Sequence, residues 1–356
     1  MTQAAALAAY GSNSPSNRNR IINGDMRIDQ RNAGASVTPT ANPTYLVDRW
    51  FFGLQQASKM SFQQSSTAPA GFNNSLLATS LSAYTPLSSD YHYLGQRVEG
   101  YNVADLGWGT ADAKTITLSF WVRSSVTGTL SGSLSNSGAT RSYPFTYTIS
   151  SANTWEQKYV TIAGDTAGTW DKTNGRGIVI SFSLGSGSTY LGTADAWAGA
   201  YYTGATGSIQ PIATSGATFY ITGVQLEEGS VATPFEHRQY GQELALCQRY
   251  CQNFRAADWN DSYRRYATVL LHSSTAYNGV LPLLTKMRAS PTLVASGSFN
   301  LWNGSFLGSV SQPTIASASS DVVDLSGGNG SGPNGGIFHL LSANNNDSYM
   351  LFTAEL

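Results

Sequence analysis

The stretch FYITGVQLEEGSVATPFEHRQYGQELALCQRYCQNF, Phe219 to Phe254, decides the reading of the fold. Its first part has strand character: Phe219 and Ile221 alternate with polar neighbours, and Val224 to Leu226 continue the run. Pro234 cannot donate to a ladder and ends it. The period then changes. Tyr240, Leu244, Cys247, Cys251 and Phe254 recur at steps of four, three, four and three. That spacing lines one face of a helix of about four turns. The chain on either side is strand-like, so the expected fold is all-β. A large β-domain spans 21–236, a linking helix 237–254, and a smaller C-terminal β-domain 255–356.

Composition supports that reading. Charged residues make up 12% of the 356, about half the usual ~25%. Hydrophobic residues reach 41%, enough for a sizeable core. Small polar residues and aromatics replace the missing charge, with 36 Gly, 19 Tyr and 8 Trp, as suits short strands joined by polar turns. A formal net charge of −1 excludes a basic nucleic-acid binder. No apolar run is long enough for a membrane helix. The opening MTQAAALAAYGS has no basic residues ahead of its Ala-rich part and does not read as a secretory signal.

Taken in order, residues 1–20 form an arm with no core-forming pattern, either flexible or ordered by a partner. In RIINGDMRIDQR, Asn23-Gly24 marks a tight turn, and Met26 and Ile28 alternate with charged residues as in a half-buried strand. Strand-like runs follow at Tyr45–Gln55, Lys59–Ser65, Tyr91–Gly100 and Thr115–Ser125. In the last of these Ile116, Leu118, Phe120 and Val122 alternate with polar residues and Trp121. Five more runs end with FYITGVQLEEG. Nine or ten short strands with no helix between them indicate an antiparallel sandwich. Beyond the helix, RRYATVLL, PTLVASGSFNLWN, DVVDL, GIFHLLSA and SYMLFTAEL are strand candidates, and Gly327–Gly336 is a Gly-rich loop.

Several motifs resemble those of bacteriophage tail-fibre and related virion-appendage proteins, and in the same order. They are NRIINGDMRIDQRN, YLVDRW, TLSFWVRSS, RSY, WEQKYVTIAGDTAGTW and GVQLEEGSVATPFEHRQYGQELALCQRY, and MRASPTLVASG looks like the C-terminal fibre domain that follows. The resemblance implies a jelly roll like that of carbohydrate-binding modules and a homotrimeric fibre. Residues 1–20 would hold other virion proteins of the tail or capsid, and the protein would be located in the virion. It implies a tail fibre that binds host surface glycan. A head fibre or decoration protein and a polysaccharide-degrading tailspike are the alternatives.

Candidate residues follow. Trp197, Tyr201 and Tyr202 lie in a loop of small residues, and flat rings of this kind suit the C–H faces of sugars. Filling the sandwich end or a trimer contact is the competing role. The Tyr240, Leu244, Cys247, Cys251, Phe254 stripe is the candidate trimer interface; docking on its own chain's sheet is the alternative. Cys247 and Cys251 read as small core residues. Trp155 and Trp170 read as core. Related modules carry an acid in the last strand for calcium, and here Thr222 and Gly223 stand there. Asp25, Asp29, Glu227 and Glu228 read as a solvated edge, so no metal or other cofactor is expected. Acids are sparse around the aromatic loop, and no GxSxG, HExxH or P-loop pattern occurs, so catalysis is not expected. Failing the aromatic loop, the place for a receptor site is near Trp302 and the Gly327–Gly336 loop.

Overall fold

The computed structural model describes residues 18–259, 263–273, 276–305, 307–328, 335–343 and 347–356. The chain divides into two compact units, the first running to Gln239 and the second spanning Tyr240–Glu355. The expected arm lies outside the described residues except for its last three, and these are built into the first unit.

The first unit contains β1 (Thr44–Tyr45), β2 (Trp50–Leu54), β3 (Met60–Ser65), β4 (Ser75–Ser80), β5 (Tyr91–Glu99), β6 (Ile116–Ser124) and β7 (Gly128–Ser135). It continues with β8 (Ser142–Ile149), β9 (Glu156–Ile162), β10 (Arg176–Ser186), β11 (Leu191–Gly192), β12 (Gly204–Ala205) and β13 (Thr218–Glu228). One sheet has the order β1-β2-β5-β10-β7-β8 and the other β3-β4-β13-β6-β9. Setting aside β1, β2, β3 and the separate β11–β12 pair, the remaining eight strands run second-seventh-fourth-fifth in the first sheet and first-eighth-third-sixth in the second. Their pairings are antiparallel. That is the jelly-roll order, two interlocked Greek keys.

The core follows from alternation. Ile116, Leu118, Phe120 and Val122 of β6 are fully buried, and Ile178, Ile180, Phe182 and Leu184 of β10 face them. The Phe120 and Phe182 rings meet across the layers at 5.0 Å. Each such side chain contributes about 1.5–3 kcal/mol on burial. Pro144 sits in β8, an edge strand, where its missing donor costs no inner-ladder bond.

RIINGDMRIDQR is not a strand. Asn23 and Met26 take positive φ (56° and 58°), which strand pairing cannot use. The segment instead plugs the sandwich, with Met26 and Ile28 buried. Asn23 Nδ2 donates to the carbonyls of Ile28 (2.8 Å) and Asp48 (2.9 Å), and the Trp50 indole donates to Asn23 O (2.9 Å). The buried Asn19 side chain accepts from Leu226 N at 3.1 Å and donates to Val224 O at 3.2 Å. Arg238 Nη1 donates to Ile21 O at 3.0 Å. The quoted motifs NRIINGD and PFEHR thus latch the two ends of the jelly roll together.

The second unit begins with the helix α1 (Tyr240–Gln248), nine residues long. The expected four-turn helix stops there, because Cys251–Arg255 form strand β14, paired antiparallel with β23 (Tyr349–Thr353). Between them in the chain are β15 (Arg265–Ser273), β16 (Ala276–Pro282), β17 (Thr292–Ser296), β18 (Phe299–Trp302), β19 (Leu307–Val310), β20 (Thr314–Ala318), β21 (Val322–Gly328) and β22 (Gly336–Ser342). A three-stranded sheet β14-β23-β17 and a seven-stranded sheet β19-β18-β22-β15-β16-β21-β20 share one core. Phe254, Met350 and Phe352 come from the first, and Val269, Tyr277 and Phe338 from the second. The long run PTLVASGSFNLWN is two strands broken at Gly297, which takes φ 85°. Gly327, Gly328 and Gly336 belong to strands, and 329–334 lie outside the described residues.

Candidate functional site

The aromatic loop does not present its three rings as one platform. Ala198 bridges Ser142, and Asp195 N donates to Pro144 O at 2.8 Å, so the loop covers the free edge of β8. Trp197 is half-buried and packs edge-to-face on Trp108 (5.4 Å), Trp170 (5.6 Å) and Tyr143 (5.2 Å). Its Nε1 donates to Ala163 O at 2.8 Å. This ring closes the end of the sandwich. Trp170 is buried, as expected of a core residue. Tyr201 belongs to a different group: its hydroxyl donates to that of Tyr93 at 3.1 Å, and its ring meets Tyr190 at 6.0 Å. Tyr190 in turn meets Tyr91 at 5.1 Å. Burial first, and then neighbouring Tyr93, push the Tyr201 hydroxyl far above its ordinary value. Tyr202 lies over Gly192, where an added Cβ would stand 2.3 Å from its ring.

The expected trimer stripe is also dispersed. Residues three apart share a face on a helix but point to opposite faces of a strand, so Cys251 and Phe254 part once they enter β14. Cys247 and Cys251 are fully buried, Phe254 is 7% exposed and Leu244 is half-buried; of the five, Tyr240 alone is exposed, at 58%. The four acids considered at the domain edge each have a protein partner. Asp25 pairs with Arg27 at 3.1 Å, and Glu228 with Lys114 at 3.0 Å. Asp29 accepts from the Asn32 and Gly34 amides. Glu227 accepts from Thr233 N at 2.9 Å and from its hydroxyl at 2.6 Å. Gly223 takes φ 60° at a bulge, and an added Cβ there would stand 2.7 Å from the Phe72 ring and 3.0 Å from Trp121. Trp155 lies outside the core cluster: its ring meets Tyr220 at 6.1 Å, and Arg123 sits 4.9 Å over the same tyrosine.

An opening of a different kind is in the second unit. An open cleft of about 310 Å³ is lined by Tyr263, Arg265, Trp302, Leu307 and Leu341. The seven-stranded sheet builds it. Trp302 ends β18, opposite His339 on β22 and Leu307 on β19, and Leu341 lies opposite both Asn300 and Arg265. Phe299 and Leu301 alternate into the core, so Trp302 faces outward with Leu341 as the apolar floor beside it. Leu341 is 4% exposed, whereas Leu307 is 50% and Tyr263 43% exposed. The Arg265 guanidinium sits 5.0 Å over the Trp302 ring, and the His339 ring stacks on the indole at 6.0 Å and 29°. Rings, a cation and an apolar floor in a volume of this size suit a small polar ligand with one flat apolar face. Of the lining residues only Trp302 was singled out from the sequence. The five come from positions 263 to 341 and meet only through sheet pairing, so no local pattern marks them.

No family model matches this chain, and no curated protein matches it. Solved structures with related shape include the enzymatically active domain of bacteriophage CBA120 tailspike protein 4 (11% identity, TM-score 0.34, covering 61% of this chain and 22% of that one). A family 4 carbohydrate-binding module matches at 16% identity and TM-score 0.31, over 58% of this chain and 98% of that one. The family 11 module of Clostridium thermocellum in complex with a β-1,3-1,4-mixed-linked tetrasaccharide matches at 11% and 0.29, over 56% and 100%. The chain therefore spans about a fifth of the tailspike structure. At these scores the jelly-roll assignment rests on the strand order itself.

Proposed function

We propose that this chain is a non-enzymatic fibre protein of a bacteriophage virion that adsorbs to a glycan on the host surface. The observation that carries the glycan reading is the cleft of the second unit, where Trp302 stands near Arg265 and His339 beside an apolar floor. Among the described residues, none of the five that line it is a carboxylate, and glycoside hydrolysis needs two. The virion assignment is supported by the ordered motifs from Asn19 to Tyr250. In this reading residues 1–20 anchor the protein to the particle. Three copies per fibre let a weak site act through avidity.

The test is adsorption of the full chain to host cells, wild type against Trp302→Leu. Trp302 is half-buried at the end of β18, outside the core, so its replacement leaves the fold in place while removing the ring that a sugar would meet. Binding should fall about tenfold or more, as for loss of an aromatic anchor at a binding site. Undiminished adsorption with an unchanged melting temperature overturns the site. Gold-labelled antibody to the chain, applied to phage particles, tests the virion assignment. Label on the tail agrees with a tail fibre, label on the capsid makes it a head fibre, and no label on either removes the virion reading.

A further inference from the structure

Arg265 is exposed, and among the described residues its side chain forms no ion pair or hydrogen bond; its guanidinium lies over the Trp302 ring. A cation–π contact uses the flat face of the guanidinium and leaves its in-plane N–H donors unspent. Those donors form a fork that matches a carboxylate in two parallel hydrogen bonds. The fork stands on the wall of the 310 Å³ cleft, whose lining also includes Leu341 and the exposed Leu307. Among the described residues, no lining side chain carries a negative charge that would repel an anion or occupy the cation.

We infer that the cleft takes a carboxylate-bearing sugar, a uronic acid or a related acidic residue of a surface polysaccharide. Arg265 receives the carboxylate and Trp302, Leu307 and Leu341 pack against the sugar ring. The inference rests on the glycan-binding reading above and narrows it to a chemical class. Free anions share the charge but not the ring. A phosphate group would satisfy Arg265 and leave the apolar floor uncovered, so the arrangement favours an anion joined to a pyranose.

The test uses the full chain on an array of bacterial surface polysaccharides, each printed with its native carboxylates and again after carboxyl reduction. Wild-type signal is expected on uronate-bearing glycans, falling at least about tenfold on reduction, the scale of one charge-assisted bidentate contact. Arg265→Gln, an exposed change that preserves the melting temperature, is expected to bring the native and reduced forms within about twofold of each other. Trp302→Leu is expected to weaken both forms. Inorganic phosphate is added as a competitor. Equal wild-type binding to native and reduced forms overturns the acidic preference while the glycan reading stands. A preference that survives Arg265→Gln also overturns it, as does complete displacement by inorganic phosphate. Absence of signal on every glycan removes both the inference and the reading on which it rests.

Discussion

Trp197 shows how one residue type serves two purposes in this chain. By sequence it resembles a sugar platform, but its ring is enclosed by Trp108, Trp170 and Tyr143. Trp197→Ala should therefore cost about 2–4 kcal/mol in urea unfolding, somewhat below a fully buried ring, and leave adsorption unchanged. Lost adsorption with an unchanged unfolding midpoint would sink that assignment. A second residue-scale expectation concerns acid and base. His92 is fully buried, and burial holds its imidazole below the ordinary 6.5. The unfolded chain then binds a proton that the folded one refuses, so stability is complete above pH 6.5 and declines as pH falls through the folded value. Asp90 adds to this below 3.8: burial works against its charge, but hydrogen bonds from Tyr84 and the Leu87 amide outweigh it. Tyr84 acts on the other side. Burial, then Asp90, push it up to about 12, so stability is lost as pH rises above 10. Urea midpoints should form a plateau between those limits. His92→Phe should flatten the slope just below pH 6.5, and an unaltered slope in that variant would refute the role given to His92.

At the scale of elements, the latch of the jelly roll depends on close backbone approach. A Cβ at Gly24 would stand 2.2 Å from Val224 O, and Val224 N donates to Gly24 O at 2.9 Å. Gly24→Ala must push the plug off the β13 backbone, at a cost of about 1–3 kcal/mol. A fall of the thermal midpoint by several degrees would agree, and an unchanged midpoint would show that the plug is not fixed there. Elements with a strong local period were legible in the sequence. Strand β6 was plain because its apolar residues alternate along most of its length, and β10 because its run is apolar and β-branched. Strand β14 was not, since Cys247, Cys251 and Phe254 keep helical spacing; the β23 ladder and the core around Phe254 override that pattern. The plug misled for the opposite reason: Met26 and Ile28 alternate as in a strand, yet the buried Asn23 side chain holds a loop. The cleft was legible only at Trp302. Arg265 and Leu341 lie 76 positions apart in the numbering and become neighbours only when β15 pairs with β22.

At the scale of the whole molecule, the expected association of copies needs a different surface from the one read off the helix. Four of the five stripe residues are buried or half-buried within their own chain. The outer face of the seven-stranded sheet offers a replacement. Leu270 is 48% exposed, Val280 55% and Ile337 69%. Leu270 pairs with Ile337 across β15 and β22, and Val280 lies opposite Thr268 on the neighbouring strand. Three large aliphatic side chains held together on one sheet face are unusual on a protein surface unless something covers them. With charged residues at 12%, neighbouring copies of this chain in the expected trimer are the cover we expect. This patch and the cleft lie toward opposite ends of β15. Arg265 and Leu270 are five residues apart, about 16 Å along a strand, so one face can serve both purposes. Ile337→Asp places a charge in the patch without touching the core. Mass measurement on the purified full chain should give an oligomer for wild type and a smaller species for the variant, with the cleft's glycan signal per copy retained. A wild-type monomer would refute self-association. An oligomer that Ile337→Asp leaves intact would place the contact on another surface.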